Sequence, residues 1–341
     1  MKSLVSFIFI LSIWGGLLSV SGIAKPKAPE WLTRAAEEPD PEFKAGNRPE
    51  AVVLLDEAIY DFSEDGTLFS TYRYAIRVIE PRGKERASVK AYYRDGSIKI
   101  HSIKAWNIDR EGEVYAFKNR DVEDVSASGS SLYSENRAKR ISGESKSRVG
   151  SVFGYEYTKE EKSLFSQYIW SFQNKIPVVR SRLEVRVPDG WGVRDTRFHE
   201  APSPRKEENV YVWEMMDIGK YKTETGAPYR SIKRSFMTID VEPPEGVETR
   251  HTNLTFSTWE DISNYTAKTQ DPQMKPTPEI EAKARELTTD ADDVWSKVKA
   301  IGDYVKDLRY ASINMDLSNG GGYKPREASE VFRVGYGDCK D

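Results

Sequence analysis

The sequence predicts a mainly β protein: an antiparallel β-sandwich over residues 50–260, followed by a helical segment over residues 279–341. Three observations predict it. Between Ala51 and about Phe256 apolar residues recur with a period of two, as in Leu68, Tyr72, Tyr74, Ile76 and Val78, with Arg73 and Arg77 on the other face. Turn signals punctuate these runs at short intervals, among them Asp65-Gly66, Pro81-Arg82-Gly83, Asp95-Gly96 and Pro188-Asp189-Gly190. Near residue 260 the period changes from two to that of a helix.

Taken from the N-terminus, Lys2 and the apolar stretch Leu4 to Val20 read as a leader, residues 1–24, with small residues Gly22 and Ala24 before a cleavage site. The alternative is an uncleaved anchor, in which case the leader is the one point of membrane contact. Either reading puts the remainder in the periplasm or outside the cell. Residues 25–49 are rich in proline and charge and read as an extended linker, with Trp31, Leu32 and Phe43 as docking points. Within the β-rich part, Leu183, Val185 and Val187 alternate with Arg182, Glu184 and Arg186. Ser126 to Ser151 has few large apolar residues and reads as a mobile loop or short helix. Residues 261–278 read as a second linker, after a helical turn at Trp259 to Tyr265. Thr277-Pro278 fits a helix start, with the helix running to about Leu287. A further helix is predicted from the stripe Val294, Val298, Ile301, Val305 and Leu308, whose apolar face is expected to pack on its neighbours.

Composition narrows the function classes. A net charge of −3 without a strongly basic block gives nucleic-acid binding no electrostatic support. Three histidines (His101, His199, His251) and one cysteine make a Cys/His metal site an unpromising reading, so neither metal nor cofactor is expected. In an exported chain a single cysteine is a reactive thiol, an intermolecular link or an inert buried residue.

The chain ends Gly335-Tyr336-Gly337-Asp338-Cys339-Lys340-Asp341. The two glycines permit a tight turn, Asp338 is a good N-cap, and Cys339 then opens a helix beside the cation Lys340. Asp338 and Asp341 oppose ionisation of a neighbouring thiol. This ending resembles the Gly-Asp-Cys-Lys-Asp motif of bacterial transglutaminase-like proteins, with Leu308-Arg309-Tyr310 and Gly321-Gly322-Tyr323-Lys324-Pro325 placed as in that family. Upstream, Ala51 to Asp56, Gly150 to Tyr157 and Ile176 to Ser181 resemble the β-rich domain of unknown function that precedes such domains.

The resemblance implies that residues 279–341 are the start of an α+β, papain-like core. Cys339 would be the nucleophile, with Gly337, Asp338, Lys340 and Asp341 as its supporting motif. Trp295, Tyr310 and Tyr323 are candidates to line the site, with core packing the plainer role for each. It implies acyl transfer or amide hydrolysis on a protein or peptide substrate, with a cell-envelope polymer as a further candidate. The family's histidine and aspartate follow the cysteine. Here all three histidines precede it and read as ordinary strand or loop residues, so the expectation is an incomplete core and no activity from these residues alone. The competing reading is a non-catalytic β-sandwich that binds protein or glycan, with a vestigial helical tail. If the leader is cleaved, the exported protein begins at Lys25. Intact-mass measurement checks this, and a mass retaining Met1 to Ala24 identifies an anchor instead.

Overall fold

The computed structural model describes residues 26–39, 48–127, 135–221, 226, 234–247, 249, 254–311 and 322–341. The leader, Phe43, His251 and Gly321 lie outside them. In chain order the elements begin with α1 (Glu30–Glu37), β1 (Ala51–Phe62), β2 (Leu68–Val78), β3 (Ser88–Arg94), β4 (Ile98–Ile108), β5 (Val114–Ala116), β6 (Glu123–Ser126) and β7 (Asn136–Ser142). They continue with β8 (Val152–Glu161), β9 (Gln167–Ser171), β10 (Val178–Arg186), β11 (Gly192–Phe198), β12 (Arg205–Glu207), β13 (Val210–Ile218) and β14 (Phe236–Glu242). The tail holds α2 (Trp259–Gln270), α3 (Pro278–Leu287), α4 (Val294–Lys306), β15 (Arg309–Tyr310), α5 (Ala328–Val334) and β16 (Tyr336–Gly337). The protein is mainly β with its longer helices at the C-terminal end, as the sequence predicts.

One large sheet runs β12-β13-β10-β1-β2-β8-β4-β3-β7-β6, with β5 added to β4, and a second sheet runs β11-β14-β9. All strand pairs of the large sheet are antiparallel except β1 with β10, which the predicted sandwich does not foresee. That pair is tied across its polar face, where Glu57 accepts from Arg182 Nη1 at 2.9 Å and from Arg73 Nη1 at 3.2 Å on the other side. Arg73 Nε also donates to Glu156 at 2.8 Å. A bulge between Val53 and Leu55 shifts the alternation of β1 by one residue.

Both faces are buried over part of their length, hence two cores. The inner face packs Tyr60, Leu183, Trp213 and Phe153 against Trp170, Met237 and Ile239 of the second sheet. On the outer face α1 covers Val52, Leu54, Ala75 and Val152. Residues 25–49 therefore contain a docked helix within the expected linker. Leu32 is fully buried, Trp31 meets Trp106 edge-on with ring centres 6.3 Å apart, and Arg77 Nη2 donates to Ala36 O at 2.6 Å. The expected loop Ser126 to Ser151 is instead partly strand: β7 pairs with β3 and β6, and Ile141 joins the inner core.

In the tail, α2 occupies much of the expected linker 261–278. Thr258 caps it, accepting from Asp261 N at 3.1 Å, while Asp261 accepts from Thr258 N at 2.9 Å. Helices α3 and α4 touch each other and enclose, with α5, an apolar groove of about 190 Å³ lined by Ile280, Leu287, Ile301, Val305 and Phe332. The stripe of α4 is not packed along its length: Val294 is 79% exposed and Val298 54%. No sheet among the described residues lies against that face, so helical periodicity marks it without an element to bury it.

Gly154 of β8 is the contact that admits α1, since a Cβ there would stand 2.3 Å from Leu32 Cδ1. Gly154→Ala is expected to destabilise the protein by about 1–3 kcal/mol in urea unfolding. Leu32→Ala should recover part of that loss in the double variant, since the two sites couple through one contact.

Candidate active site around Cys339

The segment carrying the cysteine is set by a helix end and a two-strand pair. Helix α5 stops at Gly335, whose φ of 71° is left-handed and whose N–H donates to Val331 O at 3.0 Å. A glycine suits that position because only it adopts positive φ without steric cost. The chain then enters β16, parallel to β15, with Arg309 N donating to Gly335 O at 3.1 Å and Ala311 N to Gly337 O at 2.9 Å. Tyr310 is thereby held opposite Gly337, two residues before Cys339.

After β16 the chain makes a turn with reciprocal capping. Asp338 Oδ1 accepts from Lys340 N at 3.1 Å, and Asp338 N donates to Asp341 Oδ2 at 3.0 Å. Cys339 is the first residue after this cap and is exposed. Lys340, expected to favour a thiolate, pairs its ammonium with Asp338. Gly337 is closely packed: a Cβ there would stand 3.0 Å from Asp341 Cβ and 3.4 Å from Val331 Cγ1, so a larger residue would press on the turn.

Arg326 holds the turn. Its backbone N–H, Nε and Nη2 donate to the Asp341 carboxylate at 2.8, 3.1 and 2.9 Å, and Nη2 also donates to Tyr336 O at 3.0 Å. The guanidinium lies 4.9 Å from the Tyr336 ring centre. The side chains are 6% and 0% exposed, so this is a buried pair. Burial alone would raise the Asp341 carboxyl. The N–H groups of Arg326 and Asp338, then the guanidinium, hold it below its ordinary value of 3.8 instead.

The other candidates are dispersed. Trp295 is 76% exposed in the first turn of α4, at the far end of a helix roughly 20 Å long from β15. Tyr323 packs edge-on against Phe165 of the β body, ring centres 4.7 Å apart, beside Tyr265. His101 of β4 meets Glu160 Oε2 at 2.9 Å, and His199 sits past β11 with φ 58°. Neither belongs to the tail. Sequence reasoning passed over Arg326. The signal that finds it is the pair Asp338 and Asp341 in a compact turn, since a buried carboxylate calls for a fixed cation, and arginine offers two parallel donors.

Replacing Arg326 by methionine should loosen this turn locally. Hydrogen exchange at the Asp338 and Asp341 amides is expected to quicken roughly tenfold or more, equivalent to about 1.4 kcal/mol of local opening. The sign of the pH dependence follows from the depressed carboxyl. Its stabilisation is present above the ordinary carboxylate value of 3.8 and is lost as the pH falls through the lower folded-state value, so the same amides should lose protection in acid.

Residues 64–222, less than half of the chain, match the family model of a domain of unknown function with solved structure, DUF3857. No curated protein matches the chain. Among solved structures, a candidate protease of Parabacteroides distasonis is similar at TM-score 0.63 and 16% identity, the match covering 85% of this chain and 56% of that one. This chain thus spans little more than half of that protein's length. A yeast LTA4 hydrolase bound to bestatin (TM-score 0.29, 6% identity, 62% of this chain and 33% of that one) is a far weaker match. So is an aminopeptidase A of Legionella pneumophila bound to aspartic acid (0.27, 8% identity, 56% and 21%), and neither carries an argument. What the first likeness establishes is the fold: a β body and helical tail arranged as in the Parabacteroides protein.

Proposed function

We propose that Cys339 is the nucleophile of an exported, cysteine-dependent enzyme that cleaves or transfers amide groups on protein, peptide or cell-envelope substrates. The observation that carries this reading is the Cys339 turn. An exposed thiol stands at the first position after a reciprocal cap, on a loop anchored by a buried arginine–carboxylate pair. Such anchoring suits a group that must hold its place while a bond forms and breaks. The resemblance of the cysteine motif to transglutaminase-like proteins supports the choice of acyl chemistry, and the fold shared with a candidate protease is compatible with it. In this scheme residues 50–260 are the β domain, residues 279–341 begin the catalytic domain, and residues 1–24 direct export.

In the proposed reaction the thiolate attacks an amide carbonyl, the amine leaves with a proton, and the resulting thioester passes to water or to a second amine. A base must take the thiol proton. No histidine occurs from residue 252 to residue 341, so the segment that presents the nucleophile does not carry one. General acid–base help is worth roughly 10²–10⁴-fold, and the 341 residues alone should turn over peptide or glutamine amides no faster than Cys339→Ala. In the longest form that the reading frame encodes, Cys339→Ala should abolish turnover and block trapping of a thioester by mass spectrometry. Turnover that survives this substitution rules out Cys339 as nucleophile and favours the non-catalytic binding reading.

A further inference from the structure

The inner face of the large sheet is covered in two pieces. On one side β3 touches β4 through the single pair Arg94–Ile98 and then turns away to pair with β7, bringing Val89 and Ile141 over Phe153. On the other side β9 forms the near edge of the second sheet, and its Trp170 donates to Ser181 Oγ of β10 at 3.2 Å. Between these covers lie the middle of β1, β2 and β8, with a row of aromatic side chains that is only half-buried.

Register defines that row. Asp56 faces Tyr74, and Tyr74 faces Tyr155; one step along, Tyr72 faces Tyr157. The rings stack across strands, Tyr74 on Tyr155 at 5.4 Å and Tyr72 on Tyr157 at 4.7 Å, and Tyr155 lies 6.1 Å from Tyr157. Cross-strand rings stacked in this way stand side by side on one face of the pleat. The Tyr72 hydroxyl donates to Tyr60 at 3.0 Å. The hydroxyls of Tyr74, Tyr155 and Tyr157 and the carboxyl of Asp56 make no hydrogen bond or ion pair with a described residue, and all four side chains belong to residues that solvent partly reaches. Asp56 also sits opposite Ser181 of β10, beside the edge closed by Trp170. Further along, Lys159 is already paired with Glu161.

A half-buried carboxyl against aromatic rings, with no donor or cation from a described residue, is poorly solvated, and a donor-bearing cation from solution would relieve that. Burial pushes this one up to about 7. An ammonium group brings a countercharge and three N–H donors to one carboxylate, and the electron-rich rings and hydroxyl oxygens around it are attractive to a cation. We propose that Asp56, with the hydroxyls of Tyr74, Tyr155 and Tyr157, is a recognition site for a primary ammonium group, the group a lysine side chain carries. The site is independent of Cys339: it lies in the β body, and it stands or falls whatever the tail does.

The test uses the 341-residue protein, Nα-acetyl-lysine methylamide as probe and its norleucine counterpart as the same chain without the ammonium. Binding is followed by the ring resonances of the tyrosines, above the carboxyl's value of about 7 so that Asp56 is ionised. The lysine probe should bind saturably and shift the Tyr74, Tyr155 and Tyr157 rings, and the norleucine probe should not. Asp56→Asn should weaken lysine binding roughly tenfold or more, about 1.4 kcal/mol, while Tyr155→Phe should weaken it by a smaller factor. Asp56→Asn removes an unpaired, half-buried charge and should melt no lower than the parent protein, which separates lost binding from lost folding. The proposal is overturned if the lysine probe does not bind, if the norleucine probe binds equally, or if Asp56→Asn binds as tightly as the parent. Cellobiose shifting the same rings where the lysine probe does not would assign the row to a neutral sugar instead.

Discussion

Strand β1 is hydrogen-bonded on both edges, antiparallel to β2 and parallel to β10, so each of its residues must commit to one of two buried faces. Leu54 and Val52 go outward under α1, while Ala58, Tyr60 and Phe62 go inward under the second sheet. Alternation alone serves both cores, with Ala51 and Val53 inward and Val52 and Leu54 outward, and the bulge at Val53 and Leu55 reverses the parity of the residues beyond it. It also decides where Asp56 points. Without it Asp56 would point outward and Glu57 inward; with it Glu57 meets Arg73 and Arg182 on the outer face and Asp56 faces the row of tyrosines. The polar ties on the outer face and the aromatic row on the inner one therefore share a single backbone irregularity.

The tail is organised by a different device. Its helices expose apolar side chains and have little core of their own, so the cysteine turn is positioned by polar contacts: two backbone bonds from β15 and four donations to Asp341. Charge-assisted hydrogen bonds are directional, and they fix a backbone where few apolar contacts exist to do so. The groove beside Ile301 and Phe332 borders the same turn through Asp341, so the anchoring carboxylate stands at a junction of apolar wall and polar loop.

Much of this was legible in the sequence wherever a residue's neighbours in the chain determine its role. The alternation of Leu183 and Val185, the cap at Thr277 and the left-handed Gly335 are local facts, and local patterns carry them. The capping role of Asp338 is local too. What escaped depends on partners distant in sequence. The inward face of Asp56 follows from a bulge that has no composition of its own. The docking of α1 rests on Leu32 meeting Gly154, and the role of Arg326 on a carboxylate fifteen residues on. The parallel pairing of β1 and β10 is invisible to alternation, which gives faces and not neighbours. The α4 stripe shows the converse: periodicity identifies an apolar face and says nothing about what lies against it.

The pairing of β1 with β10 also has a temporal side. Glu57 and Arg182, which meet across it, are 125 residues apart in sequence. While the chain is made at 5–20 residues per second, β1 waits roughly 6–25 s between its own synthesis and that of its parallel partner. During that interval β1 pairs with β2, and its far edge presents unpaired backbone groups, the state in which strands most readily join the wrong chain. Contacts of such long sequence separation also slow folding, because loop closure must precede any gain from pairing. Helix α1, made before β1, contacts both β1 and β2. It can settle on the outer face of that hairpin early, leaving the edge as the last part of β1 to be satisfied.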